Sequence, residues 1–173
     1  MAEFTPAQII ANMNSLGRAT PVLDEVLSIL HSSLPGALEA LALPAIHTWD
    51  YAGVEIDPAR FPAVLVGAAI RTDEWANRWA DTMHLQVTVA YAPTITRRQL
   101  QDSLDIAQVV RGVLTMPTVM GPRYKAGAMV WNWLMPAGFS LVPPNFPYYR
   151  GWIAEFVCQQ NPVQANLWGD PPQ

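Results

Sequence analysis

One stretch of the sequence decides the fold: HLQVTVAYAPTITRRQLQDSLDIAQVVRGVL, residues 84–114. Its first part, residues 84–91, alternates apolar and polar side chains, which is the period of a strand with one buried face. After Pro93, residues 96–99 have the form of a capping box, with a hydroxyl before the helix and a glutamine three residues later. Apolar residues then recur at helical spacing as far as Leu114. These patterns predict a strand followed by a helix that lies across the sheet.

Four further segments predict strands, by alternation or by a continuous apolar run between turn residues. They are residues 45–49, 61–66, 128–134 and 148–158. Pro62 belongs at the start of its strand, where no backbone donor is needed. The polar segment 71–82 fits either the tip of a long hairpin or one helical turn. Residues 135–147 contain four prolines and predict an extended loop.

Two helices are predicted near the N-terminus. Thr5, Pro6 and Gln8 supply a cap, a first-turn proline and a capping-box glutamine, and an apolar stripe follows. Thr20 and Pro21 repeat the signal of a cap followed by proline, so a second helix is predicted from there to residues 35–36. A further helical turn is predicted over residues 37–43.

These elements predict an α+β fold, in which a small mixed or antiparallel sheet packs on one long helix and helices precede it. Residues 1–160 are predicted to form one domain, of which residues 1–44 are its helical N-terminal part. Residues 161–173, with three prolines, are predicted to form an extended or disordered C-terminal arm.

Composition suggests a chain that associates with others. Hydrophobic residues make up 51% of the sequence and charged residues only 14%. The simplest outlet for this excess of apolar surface is burial between subunits. A single cysteine, Cys158, cannot form an internal disulfide, and no apolar run is long enough to predict a membrane-spanning helix. The protein is therefore expected in the cytoplasm, with no membrane partner.

Charge is distributed unevenly along the chain. Residues 1–96 have a net charge of −6 and residues 97–173 a net charge of +2. A general nucleic-acid binder would need a strongly basic face, which this chain lacks. The asymmetry fits ordinary solvated charge, or head-to-tail contact between the acidic half of one copy and the basic half of the next.

The usual catalytic and cofactor-binding patterns are missing from the sequence. It contains no glycine-rich phosphate loop, HExxH or CxxC. His31, His47 and His84 lie in different predicted elements without metal-ligand spacing. The acids at 50, 55 and 57 lack the spacing and glycine of a calcium loop. No catalytic residue, cofactor or metal site is predicted, and the protein is expected not to be an enzyme.

Aromatic residues crowd the last third of the chain, interleaved with prolines. They are either the core under the long helix or the anchors of an interface, because aromatic side chains lose little entropy on docking. The interface candidates are Trp131, Trp133, Phe146, Tyr148 and Tyr149, together with Arg97 and Arg98.

The order of these elements resembles that of the tail terminator and related neck proteins of tailed bacteriophages. The resemblance rests on segments 61–66, 84–91, 97–114 and 148–158. It implies a structural protein of the virion that forms a ring, often hexameric. Such a ring caps the tail tube, docks on the head connector, lets DNA pass through its lumen and needs no cofactor. The N-terminal helices and the proline-rich loop depart from a minimal member of that family.

Three alternatives remain open from the sequence. The chain fits another head–tail connector or tail completion protein. It also fits a small-molecule binder or enzyme with an aromatic pocket around Trp131 and Trp133, or an adaptor that binds peptides through exposed aromatic side chains.

Overall fold

The computed structural model describes residues 4–16, 18–75 and 78–160, and these form helices on a mostly antiparallel sheet. The predicted α+β class is confirmed. The elements are α1 (Pro6–Leu16), α2 (Ala19–Ala40), β1 (Thr48–Tyr51), β2 (Ala63–Trp75), β3 (Arg78–Tyr91), α3 (Arg97–Leu114), α4 (Pro117–Met120), β4 (Arg123–Lys125), β5 (Ala128–Trp131), β6 (Trp133–Leu141) and β7 (Arg150–Gln159). A single 3₁₀ turn, Pro58–Arg60, precedes β2.

The main sheet has five strands in the order β1-β2-β3-β7-β6, so β3 is its central strand. β1 runs parallel to β2, and the other neighbours are antiparallel. A separate two-stranded sheet consists of β4 and β5. Helices α2 and α3 both contact the main sheet and each other.

The strand and helix that decide the fold form as the sequence predicts. Leu85, Val87 and Val89 on β3 are fully buried. The capping box is present, because the Gln99 N–H donates to the Thr96 hydroxyl at 3.2 Å and the Thr96 N–H donates to the Gln99 side chain at 2.9 Å. Both pairings satisfy backbone donors that the first turn of α3 would otherwise leave free.

One large apolar core lies between the helices and the sheet. Its fully buried members from the helices are Val22, Val26, Leu30, Leu34, Ile106, Ala107, Val110 and Leu114, and from the strands they include Val64, Val66, Leu85, Val87, Val89 and Cys158. A buried aliphatic side chain contributes roughly 1.5–3 kcal/mol relative to an exposed one. This burial fixes which face of the sheet meets the helices.

Helix α2 differs from its prediction at both ends. It begins at Ala19, so Thr20 is not its cap, and Pro21 falls in the first turn where its missing N–H costs little. It also continues through Pro35 instead of ending there. Proline inside a helix removes one hydrogen bond, but Leu34 and Leu38 are buried on either side of it. Their burial holds the helix together as far as Ala40.

The segment predicted as one strand over 128–134 is divided between two sheets. β5 ends at Trp131 and β6 begins at Trp133, so the two tryptophans do not share one strand face. The predicted loop over 135–147 is shorter, because β6 continues to Leu141. Pro136 is tolerated because β6 is an edge strand and its register shifts between Pro136 and Gly138.

Residues 71–75 pair with residues 78–82 as the two strands of a hairpin, which decides between the two predictions for this segment. β2 and β3 pair from Ala63↔Ala90 to Trp75↔Arg78. The pairing of β1 with β2 stops at Val66, and the pairing of β7 with β3 stops at Thr82. We call the part of the hairpin beyond these limits, residues 67–75 and 78–81, the arm. The predicted C-terminal arm, 161–173, lies outside the described residues.

A close approach between β7 and β3 makes Gly151 a position of strict constraint. Its φ is 149°, and a Cβ atom built there would lie 1.9 Å from the Val89 carbonyl oxygen. Gly151→Ala is expected to lower the free energy of unfolding by about 3 kcal/mol, because backbone atoms must separate to admit the methyl group. Urea denaturation measures this change.

Gly112→Ala is the matched control. Gly112 lies inside α3 with no atom within 4 Å of a built Cβ, and alanine there is expected to stabilise the protein by roughly 0.5–1 kcal/mol. Equal effects of the two substitutions would contradict the steric explanation for Gly151.

Candidate interaction surface

One end of the main sheet carries a cluster of aromatic side chains on the face opposite the helices. At this end β2 begins, β3 ends and β7 begins, as the pairs Ala63↔Ala90 and Tyr91↔Arg150 show. The cluster consists of Phe61, Phe146, Tyr148 and Tyr149, and we call it the aromatic end. Three of its members, Phe146, Tyr148 and Tyr149, are interface candidates from the sequence.

The aromatic end is partly a small core and partly exposed surface. Tyr149 and Phe61 pack against the buried residues Ala63, Leu65 and Ala90. Burial raises the pKa of the Tyr149 hydroxyl. The Phe146 ring lies 4.6 Å from the Tyr149 ring and 5.4 Å from the Tyr148 ring, centroid to centroid. Tyr148 is 65% exposed. The cluster therefore rests on the sheet and presents one large aromatic side chain outward.

Arg150 holds the loop that carries these rings. Its guanidinium donates to the Phe146 carbonyl, to the Tyr149 carbonyl at 3.1 Å and to the Pro144 carbonyl at 2.7 Å. A turn closed by the Phe146 N–H and the Pro143 carbonyl, 2.9 Å apart, adds a further constraint. Hydrogen bonds from a charged donor are stronger than neutral ones. The loop is thus fixed before any partner arrives, which lowers the entropy cost of docking.

The candidate arginines lie at the same end of the sheet. Arg97 and Arg98 are exposed in the first turn of α3, which follows the end of β3 by five residues. Arg98 is exposed and lies 3.8 Å from the half-buried Asp102 carboxylate. Arginine and tyrosine are enriched among the residues that dominate binding energy at interfaces. The aromatic end and these arginines together have the composition of an interface.

Trp131 and Trp133 do not belong to this surface. Trp131 is fully buried in the main core, and its indole N–H donates to the Val119 carbonyl at 2.9 Å. It is a core residue because β5 contacts α2 and the Trp131 indole bonds to α4. Trp133 lies at the far end of the sheet, where β6 begins, and is half-buried. Its indole N–H donates to the Gln159 side chain at 2.6 Å.

Other apolar side chains are exposed outside this aromatic cluster. On α1, Ile9 and Ile10 are 57% and 52% exposed. The other large ones in the described part of the chain are Phe4, Leu41, Val54, Met116, Tyr124, Met135 and Leu141. Single exposed apolar residues are common on soluble proteins, but an apolar helix with both isoleucines exposed leaves a second surface for a partner.

Glu25, Arg123 and Lys125 form an ion cluster that no pattern in the sequence predicts. Glu25 on α2 is 7% exposed and accepts two hydrogen bonds from Arg123, at 2.9 and 2.7 Å. Its second oxygen lies 3.2 Å from the Lys125 ammonium. Burial raises the pKa of the Glu25 carboxyl, but the bonds from Arg123 and Lys125 outweigh it and the pKa lies below its ordinary value. The cluster ties the β4–β5 hairpin to α2.

The remaining candidates for chemistry have local structural roles. His31 packs edge-on against Trp49 at 5.2 Å. The Asp50 carboxylate accepts from the Tyr51 N–H and the Asp57 carboxylate from the Ala59 N–H. Cys158 is buried, which raises the pKa of its thiol to about 12. Within residues 4–16, 18–75 and 78–160, no three His, Cys, Asp or Glu side chains form a group able to hold a metal ion.

The described helices include none with the length and apolar content needed to cross a membrane.

No protein-family model matches the chain, and no curated protein is significantly similar to it.

Replacing Glu25 by glutamine tests the ion cluster. Glu25→Gln is expected to lower the free energy of unfolding by about 2–3 kcal/mol at pH 7, because Arg123 and Lys125 lose their anion but stay partly hydrated. The folded-state pKa is depressed, so this contribution is fully present above the ordinary value of 4.5 and is lost as the pH falls below it. The difference between wild type and variant should therefore shrink in acid.

Glu39→Gln, at an exposed glutamate on the same helix, is the control and should change stability by less than about 0.5 kcal/mol. Urea denaturation between neutral and acid pH measures both variants. A difference between wild type and Glu25→Gln that stays constant through the acid range would contradict the ion-cluster explanation.

Proposed function

We propose that the protein is a structural component of the neck of a tailed bacteriophage. In this role, copies of the chain form a ring that ends the tail tube and joins it to the head connector. The observation that carries the proposal is the aromatic end, a prearranged and partly exposed cluster. Arg97 and Arg98 lie at the same end of the sheet, in the first turn of α3. Such a surface fits a lasting contact between proteins better than it fits a reaction.

The proposed ring is a homo-oligomer. The resemblance to tail terminator and neck proteins implies six copies in the ring. Its partners are the tail tube protein and the head connector protein, and DNA passes through its lumen without specific contacts. A ring requires unlike faces of neighbouring copies to meet. The two ends of the sheet differ in charge, which suits such contacts. Arg60, Arg97 and Arg98 lie near the aromatic end, whereas the sequence of the arm has three acids, Asp73, Glu74 and Asp81, and two bases, Arg71 and Arg78.

A binding pocket for a small molecule has less support than an interface. Trp131 is fully buried in the core, and Trp133 lies on a different strand in a different sheet. An open groove of about 390 Å³ lies between the end of α2 and α3, lined by Leu41, Leu43, Asp105, Gln108 and Val109. Its two polar side chains do not enclose a ligand. Another head–tail connector or tail completion protein would use the same surfaces.

Truncation of Tyr148 tests the interface. Tyr148→Ala is expected to weaken association between copies at least tenfold, since an aromatic residue central to an interface contributes roughly 2 kcal/mol or more. Tyr124→Ala is the matched control, because Tyr124 is similarly exposed, at 58%, on the separate β4–β5 hairpin. Light scattering over a range of concentrations measures both variants. Equal effects, or no effect of Tyr148→Ala, would count against the aromatic end as the contact.

Electron microscopy of the purified protein tests the ring directly. Closed rings with an open lumen are expected, either in solution or on added tail tubes. Genes for portal, capsid and tape-measure proteins are expected beside the gene for this chain. A protein that stays monomeric with and without tail tubes, and that turns over a substrate, would overturn the proposal.

A further inference from the structure

The arm has a backbone edge on β2 that no described strand pairs. From Gly67 to Trp75, β2 pairs only with β3 among the described residues, since β1 ends opposite Val66. A hairpin of two strands is marginally stable in water, and an open edge invites pairing with another chain. A partner strand on this edge would add a third strand to the hairpin and would pair its free backbone groups.

The register shows which backbone groups point to the open edge. In a strand, the N–H and C=O groups of alternate residues point to opposite sides. The Pro62 and Val66 carbonyls accept from His47 and Ala52, at 2.9 Å each, on the side of β1. The same parity continues along β2. The residues whose N–H and C=O groups face the open edge of the arm are therefore Ala68, Ile70, Thr72 and Glu74.

The outer edges of β1 and β6 carry features that discourage pairing. On β1, the Asp50 carboxylate accepts the Tyr51 N–H at 2.8 Å and occupies that donor. On β6, Pro136 lies opposite Phe156 of β7. The backbone groups of Phe156 point to β3, so those of Pro136 point away from β7, to the outer edge of the sheet. Because proline has no N–H, this edge lacks a donor at Pro136. A register shift follows it. Proline, charge and bulges are the usual means of protecting edges, and the described backbone of β2 beyond Val66 has no such bulge or proline.

We infer that the arm is a docking edge for the arm of a second copy, paired antiparallel about a two-fold axis at Thr72. In this register Thr72 faces Thr72, and Ile70 faces Glu74 of the other copy. These are the hydrogen-bonded positions, in agreement with the parity derived above. Between them, Arg71 of each copy lies opposite Asp73 of the other.

Charge selects this register over its neighbours. The Arg71 and Asp73 positions are of the non-hydrogen-bonded type, in which opposed Cα atoms are only about 4.5 Å apart. Opposite charges directly across a strand pair stabilise it, and like charges destabilise it. Centring the pair on residue 71 would place arginine against arginine, and centring it on residue 73 would place aspartate against aspartate. Only the axis at Thr72 gives two attractive pairs.

A second copy is the occupant because the edge is complementary to itself. Contacts of this kind are isologous, the commonest form of association between identical chains. The pairing turns two isolated two-stranded arms into one four-stranded sheet. It uses the arm and not the aromatic end, so the inference does not rest on the proposed neck function.

A cysteine on the two-fold axis tests the register. In Thr72→Cys the two thiols face each other across a hydrogen-bonded pair, with Cα atoms roughly 5.5 Å apart, a distance that a disulfide spans. Mild oxidation is expected to give a covalent dimer on non-reducing gels. Ala69→Cys is the control, because its two copies would lie roughly 20 Å apart along the strands. The native Cys158 is buried and does not compete.

Charge reversal and rescue test the contact in solution. Arg71→Asp and Asp73→Arg each replace two attractions by two repulsions, and each is expected to weaken dimerisation about tenfold or more. The double variant restores unlike charges and should recover dimerisation. Sedimentation equilibrium measures the dissociation constants, and circular dichroism checks that each variant keeps its fold. The difference in dissociation constant between the wild type and each single variant should decrease at high salt.

The outcomes separate this inference from the neck proposal. Failure of Thr72→Cys to cross-link faster than Ala69→Cys, or failure of the double variant to recover, would overturn the arm contact even if rings form. A cross-linked dimer with charge rescue supports the arm contact even if no ring is seen.

Discussion

Burial of one face of β3 beneath α3 is the interaction on which the rest of the structure depends. β3 is the central strand, so its register with β2 on one side and β7 on the other sets the position of every other strand. Leu85, Val87 and Val89 are fully buried, and a shift of one residue would turn all three away from the core. The surfaces discussed above are consequences of that fixed register.

The aromatic end and the arm both lie where strands next to β3 begin or end. At one end, Gly151 brings β7 against Val89 and starts the strand directly after the loop of Phe146, Tyr148 and Tyr149. At the other end, β2 and β3 continue past the limits of β1 and β7 and form the arm. A sheet with strands of unequal length thus offers a side-chain surface at one end and a backbone edge at the other.

Much of the fold could be predicted because it depends on local patterns. The alternation in β3, the capping box at Thr96 and the apolar stripe of α3 are each readable within a few turns of chain. The errors arose where distant contacts overrode local signals. Pro35 did not end α2, since Leu34 and Leu38 are buried on either side of it. Pro136 did not stop β6, since that strand lies at an edge.

The candidate site was only partly predictable for the same reason. Phe146, Tyr148 and Tyr149 are close in sequence and form one cluster, as their spacing suggested. The sequence leaves Trp131 either in the core or at an interface. Its burial depends on α4 and the β4–β5 hairpin, which no local pattern predicts. Glu25 and Arg123 are 98 positions apart, and nothing in either segment identifies the other as its partner.

The contrast between the sheet edges is an argument about assembly. Edge protection costs stability, and natural proteins place it where pairing would be harmful. Here the Asp50 carboxylate occupies a donor on β1 and Pro136 removes one from the outer edge of β6, whereas the edge on β2 beyond Val66 continues for nine residues with neither device in its backbone. An edge of this length without those devices is open to pairing with another strand. Its mixture of Arg71, Asp73 and Glu74 limits which strands it accepts, because a partner must offer the opposite charges in the opposite order. Selective pairing of this kind is consistent with an edge that is kept open for one partner.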